Sequence, residues 1–146
     1  MLADNLKILL GSTFVFYTKV HGFHFNVEGR DFPQYHAFFG DFYSEVYETI
    51  DKIGEYIRTQ NSYTPGNLSR MLELSVIPEQ TKIPRAELMM AELLEDSNTM
   101  VGLVSQLFDM ATEHRDQGIA NYMADLQDLY SKKAWMIRSI LKTTRA

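Results

Sequence analysis

The 146-residue sequence has no cysteine, one tryptophan, four prolines and four histidines. Without cysteine, neither disulfides nor thiolate metal sites can form, so any metal must be held by histidine, carboxylate or water. The prolines stand at 33, 65, 78 and 84, leaving long proline-free stretches at 1–32, 34–64 and 85–146. No run approaches the ~20 apolar residues of a membrane span. Basic tracts are missing too. A net charge of −5 and a pI near 5.3 give no electrostatic reason to seek nucleic acid or an anionic membrane, and they suit cationic partners. The opening stretch MLADNLKILLGSTFVFYTKV lacks a basic leader and a small-residue cleavage site, so no signal peptide is expected and the cytoplasm is the expected location.

What remains is 45% hydrophobic, enough for the core of one domain over 1–146. Strand-like alternation is scarce. Leu6, Leu10, Thr13, Tyr17, Val20 and His24 recur at steps of three and four, one face of a first helix that His24 closes. Glu28-Gly29-Arg30-Asp31 reads as a turn, with Asp31 as N-cap and Pro33 in the first turn of a second helix. Tyr35, Phe39, Phe42, Val46, Ile50, Ile53 and Ile57 form its stripe, and it ends near Gln60. A loop at 62–67, a short apolar piece from Leu68 to Ile77 and a second loop between Pro78 and Pro84 follow. A third helix is predicted from Ala86 to His114, with Leu93, Met100, Val104, Leu107 and Ala111 inward. A fourth is predicted from Ile119 to Lys142, with Tyr122, Leu126, Leu129, Lys133, Ile137 and Ile140 or Leu141 on its periodic face. Helices of this length span ~36–43 Å. The prediction is an all-α, ferritin-like four-helix bundle, with a short helix in the long crossover between helices two and three.

A di-iron centre inside one bundle uses a Glu-x-x-His motif on each of two helices. The third helix offers Glu87, Glu92, Glu95 and Asp96 but no histidine three residues after a glutamate, and the fourth has no histidine. An intrabundle centre is therefore not expected. Beside the core stripe of the second helix runs another line: His36, Gly40, Ser44, Tyr47, Asp51 and Glu55. Asp51 and Glu55 lie one turn apart and can share a cation. His36 precedes Asp51 by fifteen residues, ~22 Å along a helix, so one chain cannot join them. Two antiparallel copies can, with the small Gly40 and Ser44 easing close helix approach. His24, at the first helix end, can join His36. The set becomes two imidazoles from one subunit and two carboxylates from its partner, suited to ferrous iron, with zinc or manganese as competitors. The plainer alternative is interface histidines and solvated acids.

These residues resemble the starved-cell DNA-binding protein (Dps) family, the mini-ferritins. That family has His-Trp-Asn-Val-x-Gly, a second histidine twelve residues after the first, and Asp-x-x-x-Glu fifteen further on. Here stand His24-Phe25-Asn26-Val27-Glu28-Gly29, then His36, then Asp51-Lys52-Ile53-Gly54-Glu55. Thr64-Pro65, Leu72-Glu73-Leu74-Ser75 and Lys133-Ala134-Trp135-Met136-Ile137-Arg138 extend the likeness to nearly the whole chain. The resemblance implies a hollow homo-dodecamer with ferroxidase sites at its two-fold interfaces. It also implies Fe(II) oxidation with hydrogen peroxide or oxygen, ferric storage inside, and protection against oxidative stress. It assigns His24, His36, Asp51 and Glu55 as the catalytic iron ligands, with no further cofactor.

Several positions depart from the family pattern. Phe25 replaces a tryptophan. Gly40 stands where many members have an aspartate, so a second iron should bind weakly. Tyr56 replaces the usual arginine, and Asp116 and Asn121 correspond to an acidic three-fold pore whose second residue is usually aspartate. His21 is expected to be a solvent or interface histidine that orients neighbours, the alternative being a transient iron-entry ligand, and His114 suits a helix C-terminus without an assigned role. Tyrosines near the proposed interface, Tyr17, Tyr35, Tyr43 and Tyr47, are expected mostly to pack, with an electron source among them as the alternative. Lys7 alone near the start, and Lys142-Thr143-Thr144-Arg145-Ala146 at the end, make direct DNA binding unexpected. The competing reading is a Dps-shaped structural or DNA-protecting shell with weak or no ferroxidase activity.

Overall fold

Two long helical hairpins and a crossover make up the computed structural model, which describes residues 1–142. Helix α1 (Leu2–Asn26) turns at residues 27–31 into α2 (Phe32–Thr59), and α4 (Ala86–Glu113) turns at 114–116 into α5 (Gln117–Leu141). The crossover carries the short α3 (Leu68–Leu74). The predicted all-α, ferritin-like four-helix architecture is what the chain adopts, with boundaries within about two residues. α1 runs on to Asn26, two residues past His24. The mildly basic tail at 143–146 lies outside the described residues. Among the described residues no helix is long and apolar enough to cross a membrane.

The periodic apolar faces meet as their spacing requires. Leu6, Leu10, Phe39, Phe42, Val46, Ile53, Ile57, Leu93, Met100, Val104, Leu107, Leu126 and Ile137 are buried, joined by Phe16, Met89, Met90 and Tyr130. Tyr17, Tyr35, Ile50, Tyr122 and Leu129 sit at the core margin rather than within it. Pro33 lies in the first turn of α2, where its missing N–H removes no helical bond. Asp31 occupies the N-cap position, but its side chain makes no capping hydrogen bond; its backbone carbonyl accepts from Tyr35 N at 3.0 Å.

Two buried lysines neutralise carboxylates between the helices. Lys19 Nζ lies 2.9 Å from Glu92 Oε2 and 2.8 Å from Asp96 Oδ2, with only 1% of its side chain exposed. The other Glu92 oxygen accepts from Gln80 Nε2 at 2.7 Å, which draws the crossover onto the bundle. Lys133 pairs with Glu45 across α2 and α5 and lies over the Phe42 and Phe38 rings at 5.4 and 5.5 Å. Burial raises the carboxyl of Asp96 above its usual range, and Lys19 partly offsets the rise.

The crossover helix sits directly on α1 because Gly11 has no side chain. A Cβ there would meet the Met71 carbonyl oxygen at 2.6 Å and Leu74 Cβ at 2.8 Å. Ser12 Oγ beside it accepts from Val76 N at 2.9 Å.

Gly11→Ala is expected to destabilise the protein by about 1–3 kcal/mol through overpacking against backbone, read as a lowered denaturation midpoint. Lys19→Met should cost about 3–5 kcal/mol, because it strands a buried carboxylate. Asp96 without its lysine is favoured in the protonated form by the fold. The deficit of that variant should therefore shrink as pH falls towards the ordinary carboxylate range and grow as pH rises. Denaturant titration from acid to neutral pH measures it.

Candidate metal centre

The end of α1 and the start of α2 are joined by two matching hydrogen bonds. His24 Nδ1 lies 2.7 Å from the His36 carbonyl oxygen, and His36 Nδ1 lies 2.7 Å from the His24 carbonyl oxygen. The rings stack at 3.9 Å with 15° between their planes. A carbonyl oxygen can only accept, so each Nδ1 carries the hydrogen and donates it. In the neutral ring the lone pair is then on Nε2, the arrangement by which an outer hydrogen bond fixes the tautomer of a metal-binding histidine. The His24 carbonyl is one of the last four of α1, which have no partner within the helix; the ring of His36 supplies one.

Gly40 makes this arrangement possible. A Cβ at that position would lie 3.1 Å from His24 Cε1 and 3.2 Å from His24 Nδ1. The packing reason for a glycine inside α2 thus lies within the chain, against the His24 imidazole. The same absence of a side chain leaves no carboxylate beside the imidazole pair.

Asp51 and Glu55 lie exposed further along α2, beside a shallow depression lined by Leu10, Ile50 and Thr64. Neither enters an ion pair among the described residues, in contrast to Glu92, Asp96 and Glu45. Within one chain no three histidine, aspartate or glutamate side chains converge among the described residues. The structure therefore brings His24 to His36 and leaves Asp51 and Glu55 apart from them, further along the helix that carries His36. The intrabundle acids of α4 are no alternative, because Lys19 already occupies the space between them.

Around the imidazoles lies an aromatic cluster that periodicity alone did not reveal. The His21 ring stacks on Tyr43 at 4.0 Å and 10° and on the exposed Phe25 at 4.5 Å. Tyr17 Oη lies 3.1 Å from His21 Nδ1, and its ring lies 5.0 Å from that of Tyr47. Burial and the neighbouring His24 push the His21 imidazole below its ordinary value, favouring the neutral ring. The spacing of Tyr17 and His21, one helical turn, was a legible signal for this pair.

Two positions of the expected pore are committed elsewhere or exposed. Asp116 caps α5, its Oδ1 accepting from Ile119 N at 3.1 Å, and its Oδ2 accepts from Gln60 Nε2 at 3.1 Å. Asn121 is exposed. Tyr56 Oη donates to the Gly118 carbonyl at 3.3 Å. His114 occupies the C-cap of α4, and its Nδ1 donates to the Met110 carbonyl at 2.8 Å.

The sequence profile of the ferritin family, described as a ferritin-like domain, matches residues 3–146. A DNA protection during starvation protein from Brevibacillus brevis is 29% identical over 142 residues, which are 97% of this chain and 95% of that protein. The crystal structure of Dps from Staphylococcus aureus is similar with a TM-score of 0.94 and 27% identity, covering 98% of this chain and 96% of that one. A Dps protein from Vibrio cholerae O1, described as a member of a broad superfamily of ferritin-like diiron-carboxylate proteins, is similar with a TM-score of 0.92 and 28% identity, covering 97% and 89%. Fold and profile together define a ferritin-like protein. Within that superfamily, the chain belongs to the Dps family.

The hydrogen-bond pattern predicts that His24 and His36 both carry their hydrogen on Nδ1 in the metal-free protein. Solid-state ¹⁵N NMR of histidine-labelled protein, with only four histidines to resolve, reads this directly. In Gly40→Ala the His24 resonances should move more than those of His36, since the added methyl meets the His24 ring.

Proposed function

We propose that the protein is a mini-ferritin that binds Fe(II) at sites shared between two subunits, oxidises it with hydrogen peroxide, and stores the ferric product in a hollow homo-oligomer of twelve single-domain chains. The observation that carries this reading is the imidazole pair, whose Nδ1 atoms are both used up on backbone carbonyls. Two Nε2 atoms on one subunit, and on the partner two carboxylates of α2 that enter no ion pair among the described residues, form a mixed nitrogen and oxygen donor set suited to iron. Zinc and manganese suit it too and would compete.

His24 and His36 bind the incoming ferrous ion. Asp51 and Glu55 of the facing subunit neutralise its charge and favour the harder ferric product. Two ferrous ions reduce one peroxide to water, consuming both reagents of hydroxyl-radical chemistry. With Gly40 in place of a carboxylate, the second ion is held more weakly than the first. Consuming both reagents gives the protein a role in oxidative-stress protection, which we propose it plays in the cytoplasm. An isologous two-fold contact makes two equivalent sites.

The competing reading, a shell that protects DNA with little iron chemistry, draws on the name of the Brevibacillus relative and on the missing acid at Gly40. The net charge of −5 per chain weighs against direct binding to a phosphate backbone.

The test is anaerobic Fe(II) loading, peroxide addition, and size-exclusion chromatography with iron and protein followed together. Iron should co-elute with a particle of about twelve chains. Asp51→Ala should lower the oxidation rate by about 10²-fold or more while leaving assembly intact, since it removes a ligand rather than core packing. Mixing separately inactive chains adds a sharper criterion. Co-assembly of His24→Ala/His36→Ala chains with Asp51→Ala/Glu55→Ala chains rebuilds one intact site in each mixed dimer, about a quarter of all sites for random isologous pairing. Recovery of activity supports a shared site, and no recovery would reject it.

A further inference from the structure

We infer that Tyr17, hydrogen-bonded to His21, supplies the second electron when a single ferrous ion at the His24–His36 site meets hydrogen peroxide. This inference rests on the ferroxidase reading above and concerns what happens when only one iron is bound. Gly40, packed against the His24 ring, supplies the imidazole pair with no carboxylate from its own chain, so single occupancy is a state the site must handle. One ferrous ion delivers one electron and splits peroxide into hydroxide and a hydroxyl radical. A second electron from a nearby donor reduces the peroxide completely.

Phenol oxidation near neutral pH needs somewhere for the proton to go. Tyr17 has a partner for that: its hydroxyl lies 3.1 Å from His21 Nδ1. With the hydrogen of His21 on Nε2, Nδ1 accepts from the tyrosine. Among the described residues, the hydroxyls of Tyr43 and Tyr47 have no such base. Aromatic rings connect donor and site. Tyr17 meets His21, His21 stacks on Tyr43 at 4.0 Å, and Tyr43 lies 5.2 Å from the His24 ring. Tyr17 is seven residues before His24, two turns away and ~10 Å along the helix. The usual tryptophan after the first histidine is here Phe25, a ring with no N–H and harder to oxidise. The balance closes without a further reagent. Fe(II), the Tyr17 phenol, neutral His21 and hydrogen peroxide become Fe(III), a neutral tyrosyl radical, protonated His21 and two hydroxide ions. Iron and tyrosine each lose one electron, and the O–O bond takes both.

The test loads the assembled protein anaerobically with one Fe(II) per site, adds one equivalent of peroxide, and freezes the mixture for electron paramagnetic resonance. A tyrosyl radical is expected, with its splitting altered by ring-deuterated tyrosine, an assignment that requires no substitution. Tyr17→Phe should lower that signal at least fivefold and raise spin-trapped hydroxyl radical several-fold, while Tyr47→Phe keeps the signal. His21→Phe retains a ring to stack on Tyr43 but no proton acceptor, and should lose the signal as well. Undiminished radical in Tyr17→Phe, or iron oxidised in the wild type without any tyrosyl radical, would overturn the assignment while leaving the ferroxidase reading intact. Iron that is not oxidised at all would overturn both.

Discussion

Two imidazole–carbonyl hydrogen bonds between α1 and α2 hold the His24 and His36 rings on which the proposed site depends. Each uses a backbone acceptor, so each fixes a ring's orientation and its tautomer at once. They are reciprocal, and neither ring can swing without breaking contact with the other. They also explain why a glycine is tolerated in the middle of a long helix, where it costs about 1 kcal/mol relative to alanine. The His24 ring occupies the space that a side chain at position 40 would need.

The ion pairs between the helices tell the complementary story. Glu92 and Asp96 on α4, and Glu45 on α2, are held by lysines that are themselves buried. A fixed ammonium stands between the first two, where a bundle-centred metal would need open carboxylates. Asp51 and Glu55, which enter no ion pair among the described residues, are exposed on α2. In the proposed site, cation binding lies away from the bundle axis, on a surface that a second chain would complete. This division of charge matches the proposed function better than composition alone, which offered only a general acidity.

Much of the fold was legible in the sequence. Prolines and turn residues marked the helix ends, and steps of three and four picked out Phe39, Phe42, Val46, Leu93, Met100 and Val104 as interior. Local rules failed where geometry was tertiary. Asp31 had the right chemistry for a capping side chain but does not use it. Lys19 and Asp96 are 77 residues apart, and no local pattern links them. Gly40 could be read as a lost ligand, yet only the structure shows it as the floor beneath an imidazole. The histidines, acids and spacing of the candidate site were visible, but the fixed tautomer was not, because ring orientation depends on a contact between two helices.

The imidazole pair also bears on how the chain acquires its structure. His24 and His36 are twelve residues apart, so the contact closes a short loop at small entropic cost. Contacts of such low sequence separation belong to the fast-forming parts of a protein, whereas the Lys19 pairing must wait for the crossover to bring α4 alongside. The first helical hairpin can therefore fix the imidazole pair early in folding. In the proposed oligomer, assembly would then join surfaces already in order, rather than spending association energy on arranging loose histidines.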